Sequence, residues 1–283
     1  MAPAGPVAED RIEVALHRCA GLGLDVRLAP AARGRHGTYL AAPDDARLAD
    51  LQAAFDDPDV DAVWALRGGY GTMRVLARLD LSGVAAAPKA FIGFSDNTAL
   101  HLALHARGVV SYHGPNAGSD VTELTETCLH RVLFRAEPAG LLPVPADRPA
   151  RVLHGGTAEG TLIGGNLALL AAMAGTPAAL GTDGRILFVE DVGETAYRLD
   201  RAWTQLALSG ALDGVAGVAF GRFTDCGEGV MDLLAELTAP LGVPVLADLP
   251  FGHEPDNWTL PLGVRGRLAA DAGTLSLLEP GVS

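Results

Sequence analysis

In the first ~135 residues, short apolar runs alternate with helical stretches, and that alternation restricts the chain to a parallel sheet covered by helices. Glu9 to Gly21 reads as a helix stopped by Gly21 and Gly23. Leu24 to Leu28 reads as a short strand, and Asp44 to Phe55 as a helix with Asp44 or Asp45 placed to cap it. Ala62 to Leu66 and Ala90 to Phe94 are buried strands, followed by helices over Met73 to Leu79 and Asp96 to Ala106.

The texture changes from Glu137 to Gly156, where Pro138, Pro143, Pro145 and Pro149 crowd together. Clustered prolines cannot sustain a helix or a central strand, so 137–156 is expected to link an N-terminal domain, 1–136, to a C-terminal one, 157–283. The second half reads as helices over Asn166 to Gly175, Ala196 to Ser209 and Met231 to Leu241. Its strands are Arg185 to Glu190, Gly217 to Phe220, Pro244 to Asp248, Val264 to Ala269 and Thr274 to Leu278. The segment Thr161 to Thr182 carries no charge, but its solid apolar run, Leu167 to Ala174, is too short for a membrane span and suggests a buried helix.

Composition removes several function classes. A length of 283 residues suits two domains, and 49% hydrophobic residues can build a sizeable core. A net charge of -13, with no basic run, argues against nucleic-acid or anionic-membrane binding. Three widely spaced cysteines, Cys19, Cys128 and Cys226, make no disulfide framework and fit a reducing compartment. The start of the chain, with Glu9 and Asp10 as its first charges, does not read as a secretion signal, so a cytoplasmic protein is expected.

Four segments carry chemistry. In Phe91-Ile92-Gly93-Phe94-Ser95-Asp96 an apolar strand runs into a serine and then a helix, the mechanics of a nucleophile elbow, although Asn97 stands where Gly-x-Ser-x-Gly needs glycine. Taken alone, Ser95-Asp96 reads better as an ordinary helix cap. Arg67-Gly68-Gly69-Tyr70-Gly71 sits at another strand-to-helix junction, where an amide could join that of Asp96 in an oxyanion hole. Arg74 stands where a dinucleotide fingerprint needs its last glycine. Strand 186–189 ends in Glu190-Asp191, and a carboxylate there can orient a histidine or cap the next helix. Gly252-His253-Glu254-Pro255-Asp256-Asn257 is a loop with one histidine, either a general base or a surface residue. His101 and His105 are i,i+4, but without Glu between them or a third ligand no metal site is expected.

Together these segments resemble the serine LD-carboxypeptidase (muramoyltetrapeptide carboxypeptidase) family. The matching residues are 67–71, Gly93 to Leu100, His113-Gly114-Pro115, Gly164-Gly165-Asn166-Leu167, Glu190-Asp191-Val192-Gly193-Glu194, Gly252-His253, Asn257-Trp258 and Leu260 to Gly263. Each motif is modest, but their order and spacing along nearly the whole chain are specific. The resemblance implies an α/β fold: an N-terminal flavodoxin-like or amidotransferase-like parallel-sheet domain and a smaller C-terminal swivelling β/α domain. It assigns the nucleophile to Ser95, the triad acid to Glu190 and the base to His253; the chemistry of the segments adds the Asp96 amide and one of the Gly68 or Gly69 amides as the expected oxyanion hole. It implies a cofactor-free, often dimeric enzyme that removes terminal D-alanine from murein tetrapeptides during wall recycling.

Because that substrate carries carboxylates and the chain is acidic, Arg67 and Arg222 are candidate carboxylate contacts, with Tyr70 and Asn166 as further substrate contacts. Relatives usually begin with an apolar strand leading into Ala-Pro-x-Gly-Pro, whereas Met1 directly precedes Ala2-Pro3-Ala4-Gly5-Pro6, so the first strand is expected to be missing or cut to a residue or two. Two other readings remain: a microcin-C-type self-immunity peptidase with the same triad, and a catalytically inactive wall-peptide-binding module. The segment Gly164 to Pro177 favours the murein peptidase over the first, and the intact Ser95, Glu190 and His253 over the second.

Overall fold

A computed structural model describes residues 1–282, which divide into two compact units, Met1–Asp120 and Val121 onward. The first unit contains α1 (Glu9–Gly21), α2 (Asp44–Asp56), β1 (Ala62–Trp64), α3 (Thr72–Leu76), β2 (Ala90–Gly93), α4 (Thr98–His105) and β3 (Ser111–His113). β2 pairs in parallel with β1, Val63 opposite Phe91, and with β3, Ile92 opposite Tyr112. Side chains alternate across a strand, so Val63 and Ala65 face one way and Trp64 and Leu66 the other. Val63 and Ala65 join Leu51, Val75, Phe91, Leu100 and Leu104 in one core. Leu66 and Trp64 join Ile12, Ala15 and Ala41 in the other. The sheet is thus buried on both sides, as parallel strands require.

The backbone of Met1 lies beside β1, its amine donating to the Trp64 carbonyl and its carbonyl accepting from Leu66 N, each at 2.8 Å. The expected strand over Leu24 to Leu28 does not form. Leu24 and Val26 each stay 39% exposed, so the alternating pattern there has no face to bury.

The second unit contains α5 (Glu123–Leu133), β4 (Gly140–Leu141), β5 (Arg151–His154), β6 (Thr157–Asn166), α6 (Leu167–Ala172), β7 (Arg185–Val192), α7 (Ala196–Leu208), β8 (Gly217–Thr224), α8 (Val230–Thr238), β9 (Val245–Ala247), β10 (Leu260–Leu262), β11 (Arg265–Ala269) and β12 (Thr274–Leu277). Eight of these strands form one mixed sheet in the order β4-β12-β11-β6-β7-β8-β9-β5. Its middle, β6 to β9, is parallel. Ile186 to Val189 of β7 are each 0% exposed, the mark of a strand covered on both faces. Leu199, Trp203 and Leu206 give α7 its buried stripe at i, i+4, i+7.

Two expectations change here. Residues 137–156 are not a linker between units: they supply β4 and β5, the two edge strands of this sheet. The four prolines flank these short strands without entering them, so no ladder N–H is lost. The C-terminal unit is also the longer of the two, because both 137–156 and α5 belong to it. Thr125 Oγ1 in α5 donates to the Pro255 carbonyl and accepts from Asn257 N, pinning that helix to the 253–257 loop.

The uncharged stretch opening at Thr161 proves to be the end of strand β6 followed by the short helix α6. Glycines 160, 164 and 165 conceal β6 from pattern reading, yet Gly164 is required: a Cβ there would lie 1.8 Å from the Phe188 carbonyl oxygen. Among the described residues no helix is long and apolar enough to cross a membrane.

Candidate active site

Each unit holds one half of the predicted machinery. In the first, Phe94 leaves β2 extended and Ser95 turns abruptly into the left-handed region, φ 65°. A non-glycine residue there costs roughly 1–2 kcal/mol and persists only where its surroundings over-determine it. They do so here. The Asp96 carboxylate accepts from Thr72 N at 2.8 Å, and Asn97 Nδ2 donates to the Phe94 carbonyl at 3.0 Å. His101 grips the strand end through the Gly93 carbonyl, 2.8 Å from Nε2, while Nδ1 meets Ser111 Oγ at 2.8 Å. A carbonyl only accepts, so Nε2 carries the proton and Nδ1 accepts from the serine hydroxyl. Complete burial pushes His101 down to about 4, and this neutral ring is a structural brace.

The glycine loop seats directly on the serine. A Cβ on Gly68 would stand 2.8 Å from Ser95 Cβ and 3.0 Å from Oγ. The loop is tied from behind by Gly5 N to the Gly68 carbonyl, 3.0 Å. It is tied again by fully buried Arg47, whose Nη1 donates to the Gly71 carbonyl at 2.8 Å and also to Pro3 O. Arg47 Nε donates to the Ala42 carbonyl and Nη2 pairs with Asp44. The local sequence offers Arg47 only Asp44 and Ala42 as partners; its ties to Pro3 and Gly71 are to main-chain oxygens of distant segments. Gly69 follows, exposed and with φ 109°, and a Cβ there would press on Gly5 Cα at 3.2 Å. Arg67 is exposed, donating to the Pro6 carbonyl at 3.0 Å, and Tyr70 is exposed with its ring edge-on to Tyr39 at 5.7 Å.

In the second unit, β7 delivers Glu190 into full burial, and His253 Nδ1 lies 2.7 Å from its Oε2. That bond places the proton on Nδ1 and the basic lone pair on Nε2. Burial by itself weakens the imidazole's hold on a proton. The Glu190 charge and hydrogen bond, with Asp191 behind it, reverse this and carry His253 above its ordinary value. The pair requires a glycine beside it. Gly252 has φ 122°, and a Cβ there would press on the Arg222 carbonyl at 3.0 Å and on Glu190 at 3.2 Å. Asn257 Oδ1 accepts from Gly252 N at 3.1 Å, which gives the motif asparagine its task.

Neighbouring candidates fare differently. Asn166 lies across from Glu190 in the β6–β7 register, but both ends of its amide are engaged locally. Nδ2 donates to Asp191 Oδ1 at 2.9 Å and Oδ1 caps α6 by accepting from Leu169 N. Asp191 also accepts from Ala168 N and Val192 N; burial and the adjacent Glu190 charge push its carboxyl up to about 6. Arg222 was expected to meet a substrate carboxylate. It is 4% exposed and turned onto the protein's own acids, with Nη1 2.7 Å from Glu254 Oε2. Trp203 and Trp258 are buried core residues.

Comparisons with known proteins agree over almost the whole chain. Residues 1–114 match the family profile of the LD-carboxypeptidase N-terminal domain, and 159–268 that of the LD-carboxypeptidase C-terminal domain. A Streptomyces coelicolor protein bearing a carboxypeptidase name is 47% identical over 99% of this chain and 92% of its own. The crystal structure of muramoyltetrapeptide carboxypeptidase from Oxalobacter formigenes superposes with a TM-score of 0.83 at 35% identity, covering 98% of this chain and 97% of that one. An MccF-like protein from Bacillus anthracis superposes at 0.91 with 25% identity, covering 99% and 95%.

Proposed function

The chain belongs to the LD-carboxypeptidase family, and we propose that this serine-type peptidase releases the terminal D-alanine of murein tetrapeptides with Ser95, Glu190 and His253 as its triad. The observation that carries the assignment of roles is the buried Glu190–His253 hydrogen bond at 2.7 Å, in a chain whose serine occupies a left-handed elbow.

In this mechanism His253 Nε2 takes the Ser95 proton as Oγ attacks the carbonyl carbon before D-alanine. Glu190 holds the Nδ1–H tautomer and stabilises the imidazolium. The Asp96 amide and one of Gly68 or Gly69 receive the developing oxyanion, each donor being worth about 2.7–4 kcal/mol. Collapse breaks the C–N bond, and the imidazolium returns its proton to the leaving amine. Water then repeats the sequence to free the acyl group and restore Ser95. These steps draw on no cofactor.

The test is mass-spectrometric analysis of L-Ala-D-Glu-meso-diaminopimelate-D-Ala incubated with wild type and Ser95→Ala. Release of D-alanine by wild type alone is expected, and equal turnover by both removes Ser95 from the chemistry. The structural likeness to an MccF-like protein keeps one second substrate in the assay, an acyl-aspartyl nucleotide. The higher identity to the muramoyltetrapeptide enzyme supports preference for the peptide. We place the enzyme in the cytoplasm as a homodimer. Three buried free thiols support a reducing compartment, and light scattering tests the dimer.

A further inference from the structure

We propose that Arg222 is a positioning residue for the general base: it gathers Asp248, Glu254 and Asp256 and so holds the loop that carries His253 against Glu190. The inference rests on the reading of His253 as the base. Arg222 lies near the end of β8, and its N–H donates to the Phe251 carbonyl at 2.9 Å, so its main chain already holds the loop two residues before His253. Its Nη1 donates to Glu254 at 2.7 Å, and the carboxylates of Asp248 and Asp256 stand 3.7 Å away, close enough for charge attraction but not for a hydrogen bond. These acids open the loop, follow His253 directly, and close it. Asp248 is held at a left-handed φ of 59°, a conformation that needs external support.

The surrounding contacts show how much depends on this cation. Arg148 pairs with Asp248 and Glu254 from the exposed side, at 2.9 and 2.6 Å. Asp256 also accepts from Thr122 Oγ1 at 2.6 Å. Three carboxylates crowded around one loop repel one another, and Arg222 is the buried charge that offsets them. Loosening it leaves Glu254, one peptide unit from His253, to the exposed Arg148. A planar guanidinium can address several acids at once, which the point charge of lysine cannot. The same acids oppose use of Arg222 as a receptor for substrate carboxylate, since another anion would enter a field that is already negative.

The experiment compares wild type with Arg222→Lys, Arg222→Met and Glu254→Gln on the tetrapeptide and on its C-terminal amide. Arg222→Met is expected to lower kcat on the order of 10- to 100-fold with KM within about twofold, because small misplacements of a catalytic group act on the chemical step. Arg222→Lys should fall between, and Glu254→Gln should move kcat in the same direction. Discrimination between free acid and amide should be unchanged in every variant. A rise in KM confined to the free acid overturns the proposal in favour of direct substrate contact. Should Arg222→Met not fold, the other two variants decide, and wild-type kcat in both overturns it.

A substrate-free readout separates this inference from the assigned reaction. The downfield proton resonance bridging His253 and Glu190 should broaden or vanish in Arg222→Lys. Its persistence unchanged sinks the clamp even if wild type turns over no murein peptide.

Discussion

Gly68→Ala is predicted to disable the enzyme without touching any triad residue. The added Cβ would sit 2.8 Å from Ser95 Cβ, 3.0 Å from Oγ and 3.2 Å from the Phe94 carbonyl oxygen. Ordinary contact begins at 3.4 Å, so the loop and serine must part by about 0.6 Å (3.4 − 2.8). Neither side yields easily. The loop is anchored by Gly5 and Arg47, and the elbow by Asp96 and Asn97. Overpacking of this kind costs roughly 1–3 kcal/mol, measurable by urea unfolding. The displacement moves both the nucleophile and an oxyanion amide, and a shift near 1 Å can cost on the order of 100-fold, so kcat should drop about 10- to 100-fold with KM little changed. Gly83→Ala is the control, because a Cβ there meets nothing within 4 Å. If Gly68→Ala keeps kcat within about twofold of Gly83→Ala, the loop is not seated against the nucleophile and the reasoning fails.

Three further predictions follow from the same geometry. Ser95 sits at φ 65°, so Ser95→Gly should unfold at higher urea than Ser95→Ala. Relief of ~1–2 kcal/mol of strain exceeds the ~0.5–1 kcal/mol that glycine adds to the freedom of the unfolded chain, and a more stable alanine variant contradicts the strain. Glu190→Gln should lower kcat on the order of 10⁴-fold by releasing the tautomer. Glu190 holds His253 above its ordinary value and the base must be neutral, so the acid limb of the rate profile should also move to lower pH; an unmoved limb refutes the coupling. Asp191 keeps its proton to about 6 when folded but loses it near 3.8 when unfolded. Between those values the folded state binds more protons, so this group's contribution to stability falls as pH rises, by up to about 3 kcal/mol. Asp191→Asn should flatten that part of the urea-stability profile, and an identical pH slope in both proteins rules the effect out.

The legibility of the chain follows from how local each cause is. Strands β2, β7 and β8 were visible because continuous burial demands an unbroken apolar run, as in Ile186 to Val189. Ser95, Glu190 and His253 stood out for the same reason in reverse: each is a polar residue at the end of an apolar strand or in a turn-rich loop. Strand β6 was hidden because its glycines answer a neighbour's backbone, the Phe188 carbonyl, rather than any rule of their own segment. Prolines 138 to 149 suggested a linker because nothing in them tells an edge strand from a connector; the partner strands β12 and β9 make that difference.

Side-chain roles divide along the same line. The alternation of elements, the acidic charge and the placement of reactive residues at strand ends are properties of neighbours along the chain, and they are written in its order. Whether Arg222 faces substrate or three carboxylates depends on residues 26 to 34 positions away (248 − 222 and 256 − 222) that only packing brings to it. The same holds for Arg47 and its carbonyl partners, and for the proton affinity of His253, set by a carboxylate 63 positions earlier. Electrostatic and hydrogen-bonding partners act through distances of a few ångströms, and those distances exist only once the chain has folded.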